Sequence, residues 1–449
     1  MTVKKHSLDM TMGSLLKGMI LFAIPVSASN CLQMFFNSVD VMVVGQFAGE
    51  EALAAVGATS LPINFLVSLF TGLATGGTVV IARYLGCKDM EHAQKAVHTS
   101  VLLGIVSGIG IAVVGIGFAK SILLLLNTPT EVIDAAALYF RIYLGGMPVM
   151  MTFNFCAGIL RATGDAQTAL RYLFLAGGIN LTGNVVFVAF FHWGVAGVAI
   201  ATVFSQGIAL ALIFHNLVTR EDEIRVCFEK LRFSLEETRL IIQIGIPSSL
   251  HSCLYPLSGC LVQKAVNSLG VAVLTANTAA ANLDGFLNHF TSGFNQATMT
   301  FTSQNYGAGK AERVRKCIRY GIMGAVIVDL VAGWGMVLSG RSLLGLFNIR
   351  GEMADYGMIR LIYVAGMYFL AGIMDPVVYA MRGLGKSAAP MVVSVFTILG
   401  FRIFYLYTIF PKFHTPEALY LTFPLTWLIS IALDVGLLIW YLNQLGLKR

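Results

Sequence analysis

The feature that most constrains this chain is a series of apolar runs, each about as long as a bilayer is thick. Residues 97–119, 195–217 and 320–338 are runs of this kind, with almost no charge. A helix rises 1.5 Å per residue, so about 20 residues match the roughly 30 Å of hydrocarbon in a membrane. Charged residues make up only 12% of the chain, against about 25% in soluble proteins. The sequence therefore predicts an all-α integral membrane protein.

Twelve predicted spans are joined by short connections, except for a polar linker over residues 219–239. This linker divides the chain into a first half, residues 1–222, and a second half, residues 223–449. The opening residues are not read as a cleavable signal, because the apolar segment that follows is far too long. The first, second, seventh and eighth spans are long enough to tilt or kink. The spans begin near Lys17, Leu53, Val97, Val132, Leu170, Val195, Leu240, Leu274, Val314, Tyr356, Met391 and Ala418.

Lysine and arginine residues concentrate in alternate loops, which predicts the orientation of the chain. Of the 30 Lys and Arg residues, most fall on the side of both termini, and cytoplasmic loops carry such an excess. We expect a cytoplasmic (inner) membrane protein with both termini inside, and the net charge of +7 then implies no nucleic-acid partner. The terminal charges are Lys4, Lys5, Lys448 and Arg449, and the opposite side carries Lys120, Arg141, Arg341, Arg350, Arg360 and Lys412.

The two halves resemble each other in sequence. Ile24-Pro25 recurs as Ile246-Pro247, at an offset of 222 residues. Each half has six spans, so the halves run in the same direction, and we expect two six-helix lobes related by a pseudo-twofold axis along the membrane normal. An internal repeat supplies its own central interface, so we expect a functional monomer. After a slip of one residue, Gly49, Leu53, Phe65, Gly72 and Gly86 match Gly270, Leu274, Phe286, Gly293 and Gly307.

Five segments carry a resemblance to a known family: IPVSASNCLQMFFNSVDVMVVGQFAGEEALAAVG, ARYLGCKDMEHAQKAV, RATGDAQTALR, SQNYGAGKAERV and MRGLGKSAAP. With the span number and the repeat, they make the chain similar to the multidrug and toxic compound extrusion (MATE) family. The resemblance implies two lobes around a central cavity. It also implies export of cationic, amphipathic compounds by alternating access, in exchange for protons or sodium ions and without another cofactor.

Four polar residues of the first half are predicted to share one depth in the membrane. Asp40 lies about 9 Å from the outer end of its span, Asn184 about 13 Å and Thr202 about 12 Å. Asn180 lies one helical turn before Asn184, on the same face. A carboxylate within a span costs about 3 kcal/mol on insertion scales and normally faces a cavity or a partner. The four oxygen-bearing side chains can surround a proton or a sodium ion; alternatively, they hydrogen-bond the helices together.

The resemblance assigns ion coupling to Asp40, since the family carries an acidic residue at this position of its VD motif. Some family members have a carboxylate where this chain has Asn184, and the loss of that charge favours a proton over tightly bound sodium. Pro25 lies in the same span and removes a backbone hydrogen bond, so we expect a bend there.

Substrate-contacting residues are predicted in both halves. Asp284 lies near mid-membrane in the eighth span, where it either binds substrate or a proton or forms a salt bridge with Lys264 or Arg402. Tyr255 occupies a position that is acidic in some relatives. We expect structural roles for the remaining intramembrane carboxylates of this half. The aromatic candidates for an apolar cavity are Phe36, Phe65 and Phe153, and the other carboxylates are Asp329, Asp375 and Asp434.

Other functions fit the sequence less well. GLGKS at Gly383–Ser387 and GAGK at Gly307–Lys310 lack residues that a phosphate-binding loop requires. We find no spaced Cys/His set for zinc and no nucleophile triad, so we do not expect an enzyme. The alternative within transport is a flippase for lipid-linked oligosaccharides, or a metabolite exporter, of the same superfamily.

Overall fold

The computed structural model describes residues 8–222 and 224–447. Within these ranges every regular element is a helix, so the all-α prediction is confirmed. Four of the charges used to predict orientation, Lys4, Lys5, Lys448 and Arg449, lie outside the described residues. So does residue 223, where the second predicted half begins.

Six long helical segments form the first half of the chain. The fourth is a pair of helices bent by 46°, where two glycines precede Pro148 and the regular hydrogen-bond ladder is interrupted. The segments are α1 (Leu15–Phe47), α2 (Gly49–Cys87), α3 (Met90–Leu125), α4 (Ile133–Gly145 with Met147–Ala162), α5 (Ala166–Phe190) and α6 (Gly194–Thr219).

Six further segments form the second half. They are α7 (Leu235–Ser268), α8 (Val271–Gly307), α9 (Ala311–Leu338), α10 (Glu352–Gly383), α11 (Ala388–Phe413) and α12 (Pro416–Gln444). Among the described residues, ten helices are long and apolar enough to span a membrane, and α4 is an eleventh if its bent pair is one span. With 37 residues, α8 is long enough, but its many buried threonine and asparagine side chains lower its hydropathy.

Helix starts follow local signals that the sequence contains. The Asp89 side chain accepts a hydrogen bond from the His92 backbone N–H and caps α3, and Asp165 caps α5 through Thr168. Such caps satisfy the unpaired N–H groups of a first turn. Most predicted span starts lie near the observed ones; the largest difference is at α3, which begins at Met90 rather than near Val97.

Contacts divide the chain into two compact units that do not coincide with the halves of the sequence. The first unit consists mainly of Ser29–Gly245, and the second of Asp9–Ala28 together with the chain from Ile246 onward. The first part of α1 therefore packs in the second unit, and the first part of α7 packs in the first. Both helices change unit within a few residues of their matched prolines, Pro25 and Pro247.

Glycines permit the close approach of these exchanged segments. In the first unit, a Cβ on Gly76 of α2 would collide with the backbone of α7 at Ile241 and Gly245. In the second unit, a Cβ on Gly293 of α8 would collide with the carbonyl oxygen of Ala23. The Gly293 N–H also donates to Ser27 Oγ at 3.2 Å. Each unit thus holds its exchanged segment by backbone contact that any larger side chain would block.

Candidate functional site

Three helices of the first unit bring the four predicted coupling residues together. On α5, Asn184 Nδ2 donates a hydrogen bond to Asp40 Oδ1 of α1 and lies 3.3 Å from Asn180 Oδ1. Asn180 Nδ2 in turn donates to Thr202 Oγ1 of α6 at 3.3 Å. The Thr202 side chain also interacts with the Asp40 carboxylate, so the four polar side chains form one connected cluster around it.

Asn184 supplies the unusual feature of this cluster. It is fully buried, and its Oδ1 atom has no hydrogen-bond partner among the described residues. Buried amide oxygens are nearly always paired, so such an atom calls for a ligand, a water molecule or a proton donor. Asn184 is also the last α-helical residue before a π-helical turn, Val185–Phe190, and turns of this kind are frequent at functional sites.

A small cavity opens beside the carboxylate. The volume that it offers to water-sized molecules is about 40 Å³. Phe36, one of the predicted aromatic candidates, lies on its wall and packs so closely on Gly177 of α5 that a Cβ there would overlap the ring. The cavity is lined by Gln33, Phe36, Asn37, Asp40, Leu173, Ala176, Gly177, Asn180, Thr202, Ser205 and Gln206.

Two tyrosines of α4 near the site were not predicted. Tyr139 and Tyr143 both interact electrostatically with Asp40, and their stacked rings lie 6.4 Å apart between centroids. Their spacing of four residues places them on one helix face. That spacing is a signal in the sequence, but it does not say which neighbouring helix the face meets.

The other aromatic candidates of the first half lie elsewhere. Phe153 is buried on α4 and Phe65 is half-buried on α2, and neither lines the cavity at Asp40. In the second unit, the Tyr255 hydroxyl donates to Asp375 Oδ1 at 3.1 Å, so this tyrosine binds a carboxylate of α10.

Asp284 forms a buried ion pair, but its partner is not one of the two that we expected. Arg360 Nε of α10 donates to Asp284 Oδ2 at 2.8 Å, and Arg360 Nη1 donates to Asn277 Oδ1 at 2.7 Å. Lys264 and Arg402, the expected partners, contact Tyr407 and Ser258 instead. The prediction that Arg360 lies outside the spans is wrong. The residue lies in α10 and is 8% exposed, because the helix begins at Glu352, two turns earlier.

The remaining carboxylates of the second unit are also buried. Asp329 accepts a hydrogen bond from the Thr291 hydroxyl. Asp434 of α12 is fully buried, and neither of its carboxylate oxygens has a hydrogen-bond partner among the described residues. Their expected structural roles stay predictions.

A known family model matches the chain in two separate parts, one in each half of the sequence repeat. The family model MatE matches residues 25–186 and again residues 247–408. The two matches begin 222 residues apart, at the matched prolines, so the repeat offset that the sequence indicated is also the offset of the family model.

Curated relatives and solved structures agree with this match. The chain is 27% identical to the probable multidrug resistance protein YpnP of Bacillus subtilis, over 88% of this chain and 87% of that one. It is 29% identical to the probable multidrug resistance protein YoeA of the same organism, over 87% and 86% of the two chains. The fold matches an outward-facing multidrug resistance MATE family transporter of the MOP superfamily, with a TM-score of 0.91, 22% identity and 99% coverage of both chains. The protein is a multi-pass membrane transporter rather than an enzyme, and it belongs to the MatE family.

Proposed function

We propose that this protein is a multidrug exporter that exchanges small organic molecules for a cation, with the coupling site at Asp40. YpnP and YoeA, which match most of this chain, are named as probable multidrug resistance proteins. The observation that carries the coupling site is the buried, unpaired Asn184 Oδ1 beside a carboxylate that Asn184 already binds through Nδ2.

The chemistry of this pair favours a proton as the coupling ion. An ionised carboxylate only accepts hydrogen bonds, whereas a protonated one also donates. Protonation of Asp40 would thus supply the donor that Asn184 Oδ1 lacks, and the acid and the amide would form two reciprocal hydrogen bonds. Sodium is the second candidate, since Asp40, Asn180, Asn184 and Thr202 offer only oxygen ligands.

Proton binding at Asp40 can act on substrate through α1. The protonated acid is neutral and loses its preference for water, and Pro25 leaves α1 short of one backbone hydrogen bond, so the helix can bend at modest cost. A change of bend when Asp40 is protonated would expel substrate from the first unit. We expect the substrates to be cationic and amphipathic, because the cavity at Asp40 combines a carboxylate with an aromatic ring.

The test is efflux of a fluorescent organic cation from proteoliposomes, driven separately by a proton gradient and by a sodium gradient. We expect the proton gradient to drive transport and Asp40→Asn to abolish it. Asp134→Asn is the matched control, because this aspartate lies in the same unit in an exposed ion pair with Lys120. Undiminished export by correctly folded Asp40→Asn would disprove the coupling site, and no transport under either gradient would favour the flippase.

The orientation of the chain in the membrane and its oligomeric state are tested by separate measurements. We propose a cytoplasmic membrane location with both termini inside and a functional monomer. A fluorescent protein that folds only in the cytoplasm, fused after the last residue, would be bright in this orientation and dark in the opposite one. Mass measurement of the purified protein in lipid nanodiscs would test the monomer.

A further inference from the structure

A histidine and two glutamates meet at one end of the first unit, on the face that the charge distribution predicts to be cytoplasmic. His92 lies in the first turn of α3, and Glu236 and Glu237 lie in the first turn of α7. Each offers one ligand atom, and the three atoms lie within 4.8 Å of one another. This metal-site cluster, His92 with Glu236 and Glu237, is separate from the Asp40 site.

One carboxylate oxygen of Glu237 is not used by the hydrogen bonds at the start of α7. Ser234 and Glu237 have the spacing of a capping box, in which the glutamate would bond the serine backbone N–H. That N–H donates instead to Thr99 Oγ1 at 3.2 Å, and Glu237 Oε2 accepts a hydrogen bond from the Ser234 hydroxyl. Glu237 is 0% exposed, and its Oε1 has no hydrogen-bond partner among the described residues. A buried carboxylate oxygen of this kind requires a cation or a donor.

His92 is already oriented as metal-binding histidines usually are. Its Nδ1 lies 2.9 Å from Asp89 Oδ2, which leaves Nε2 as the available ring nitrogen. The His92 ring also stacks on Tyr84, with 5.5 Å between centroids. A carboxylate bonded to one ring nitrogen fixes the orientation of the imidazole and makes the other nitrogen a better metal ligand.

Hydrogen bonds to α3 fix the polar linker that leads to the two glutamates. The Cys227 N–H donates to His98 Nε2 at 3.0 Å, in addition to the bond between Ser234 and Thr99. The side chains of the cluster are thus held by two anchored elements of one unit. Lys95 interacts electrostatically with Glu236 and Glu237, but its ammonium group is bonded to Glu91 at 2.6 Å.

We propose that the metal-site cluster binds a first-row divalent cation, zinc above all, through His92 Nε2 and the carboxylates of Glu236 and Glu237. Nitrogen and carboxylate oxygens are common zinc ligands, and ligands 2.0–2.1 Å from a tetrahedral ion lie about 3.3 Å apart. The three atoms, now within 4.8 Å of one another, would have to move closer together on binding. The His92 side chain is 34% exposed, so the ion can enter from water and keep a water molecule as its fourth ligand.

The bound ion would clamp the start of α7 to the start of α3. Leu235–Gly245 is the part of α7 that belongs to the first unit, and it ends just before Pro247. A metal at Glu236 and Glu237 would stabilise this part of α7 by its binding free energy. The site is therefore structural or regulatory, and it does not depend on the Asp40 mechanism.

The test is calorimetric titration of zinc into the full-length protein, purified with a tag free of histidine and stripped with a chelator. We expect one equivalent of zinc to bind and to raise the unfolding temperature. His92→Gln and Glu236→Gln should each weaken binding at least about tenfold, and Asp89→Asn should do so by about tenfold through the loss of ring orientation. His215→Gln, an exposed histidine of α6, should leave the affinity unchanged.

Further measurements distinguish a specific metal site from nonspecific binding of cations by acidic side chains. Cobalt should give the visible absorption of a four-coordinate nitrogen and oxygen site in the native protein and lose it in His92→Gln. Magnesium and calcium should not compete, because they avoid imidazole. The proposal is overturned if zinc does not saturate, or if His92→Gln, with a native unfolding temperature in chelator, binds zinc as well as the native protein. Equal binding of magnesium would overturn it as well.

Discussion

Asp40 and Asp284 are two intramembrane carboxylates with opposite surroundings. Asp40 accepts a hydrogen bond from a neutral amide and opens on a cavity. Asp284 is bound by the guanidinium of Arg360. A guanidinium opposes protonation of the carboxylate that it holds, whereas a carboxylate surrounded by neutral groups can gain and lose a proton as the site opens and closes. The surroundings thus favour Asp40 as the coupling residue and Asp284 as a structural one.

Exchanging the acid and the amide tests whether coupling depends on the pair. Asp40→Asn alone should abolish transport driven by a proton gradient. Adding Asn184→Asp to that variant restores one carboxylate and one amide in contact, and should recover part of the activity. Asn184→Asp alone places two carboxylates together, and we expect sodium to stimulate its transport because a second charged oxygen ligand favours a metal cation. Initial efflux rates at several sodium concentrations measure all three outcomes.

The exchange prediction has a matched control in Asn180→Asp, which introduces a carboxylate one helical turn away. That variant does not bring a second acid to the atom that binds Asp40. If it recovered activity in the Asp40→Asn background as well as Asn184→Asp does, the coupling would require only a charge in the region.

Breaking the Asp284 ion pair should destabilise the second unit. Asp284→Asn leaves the buried Arg360 uncompensated, and the loss of one partner of such a pair costs about 3–5 kcal/mol. The double variant Asp284→Leu with Arg360→Met removes both charges and should recover most of this stability. Thermal unfolding in detergent gives the comparison. Equal stability of the native protein and Asp284→Asn would show that Arg360 does not need this carboxylate.

For the helices, the sequence predicted the features that depend on span length and membrane depth. It did not predict those that depend on which helix faces pack together. Apolar run lengths located the spans, and the fixed helical rise placed Asp40, Asn184 and Thr202 at one level. The partner of Asp284 was missed because hydropathy does not say which helix face meets which neighbour. Arg360 was assigned to the wrong region for a related reason: a charge within the first turns of a span looks like a loop residue unless its partner is known.

Pro25 is predicted to be a hinge of α1, because the helix passes from one unit to the other just beyond it. Pro25→Ala restores the missing backbone hydrogen bond and should stabilise the helix by up to about 3 kcal/mol. A helix that resists bending should reduce the export rate several-fold without loss of protein stability. Efflux rate and unfolding temperature, measured on the same preparation, give both quantities. Faster export in this variant, or a lower unfolding temperature, would contradict a hinge at Pro25.

At the scale of the whole molecule, the repeat was predictable and the exchange between units was not. A constant offset in the sequence reveals two related halves, and the family model matches them separately. The exchange depends on where each chain segment packs. Only the structure shows that Asp9–Ala28 packs in the second unit and Leu235–Gly245 in the first. Each half of the sequence therefore contributes a segment to the other unit.

This exchange predicts that the chain can be divided in its linker and still assemble. When residues 1–222 and 223–449 are co-expressed as separate chains with a tag on one, we expect both to purify together and to support efflux. Gly76→Leu and Gly293→Leu together should separate them, because each side chain collides with the backbone of an exchanged segment. Gly57→Leu and Gly259→Leu make the same change where a Cβ meets nothing within 4 Å, and that pair should stay together. Equal recovery from both sets of variants would mean that the exchanged segments do not hold the fragments together.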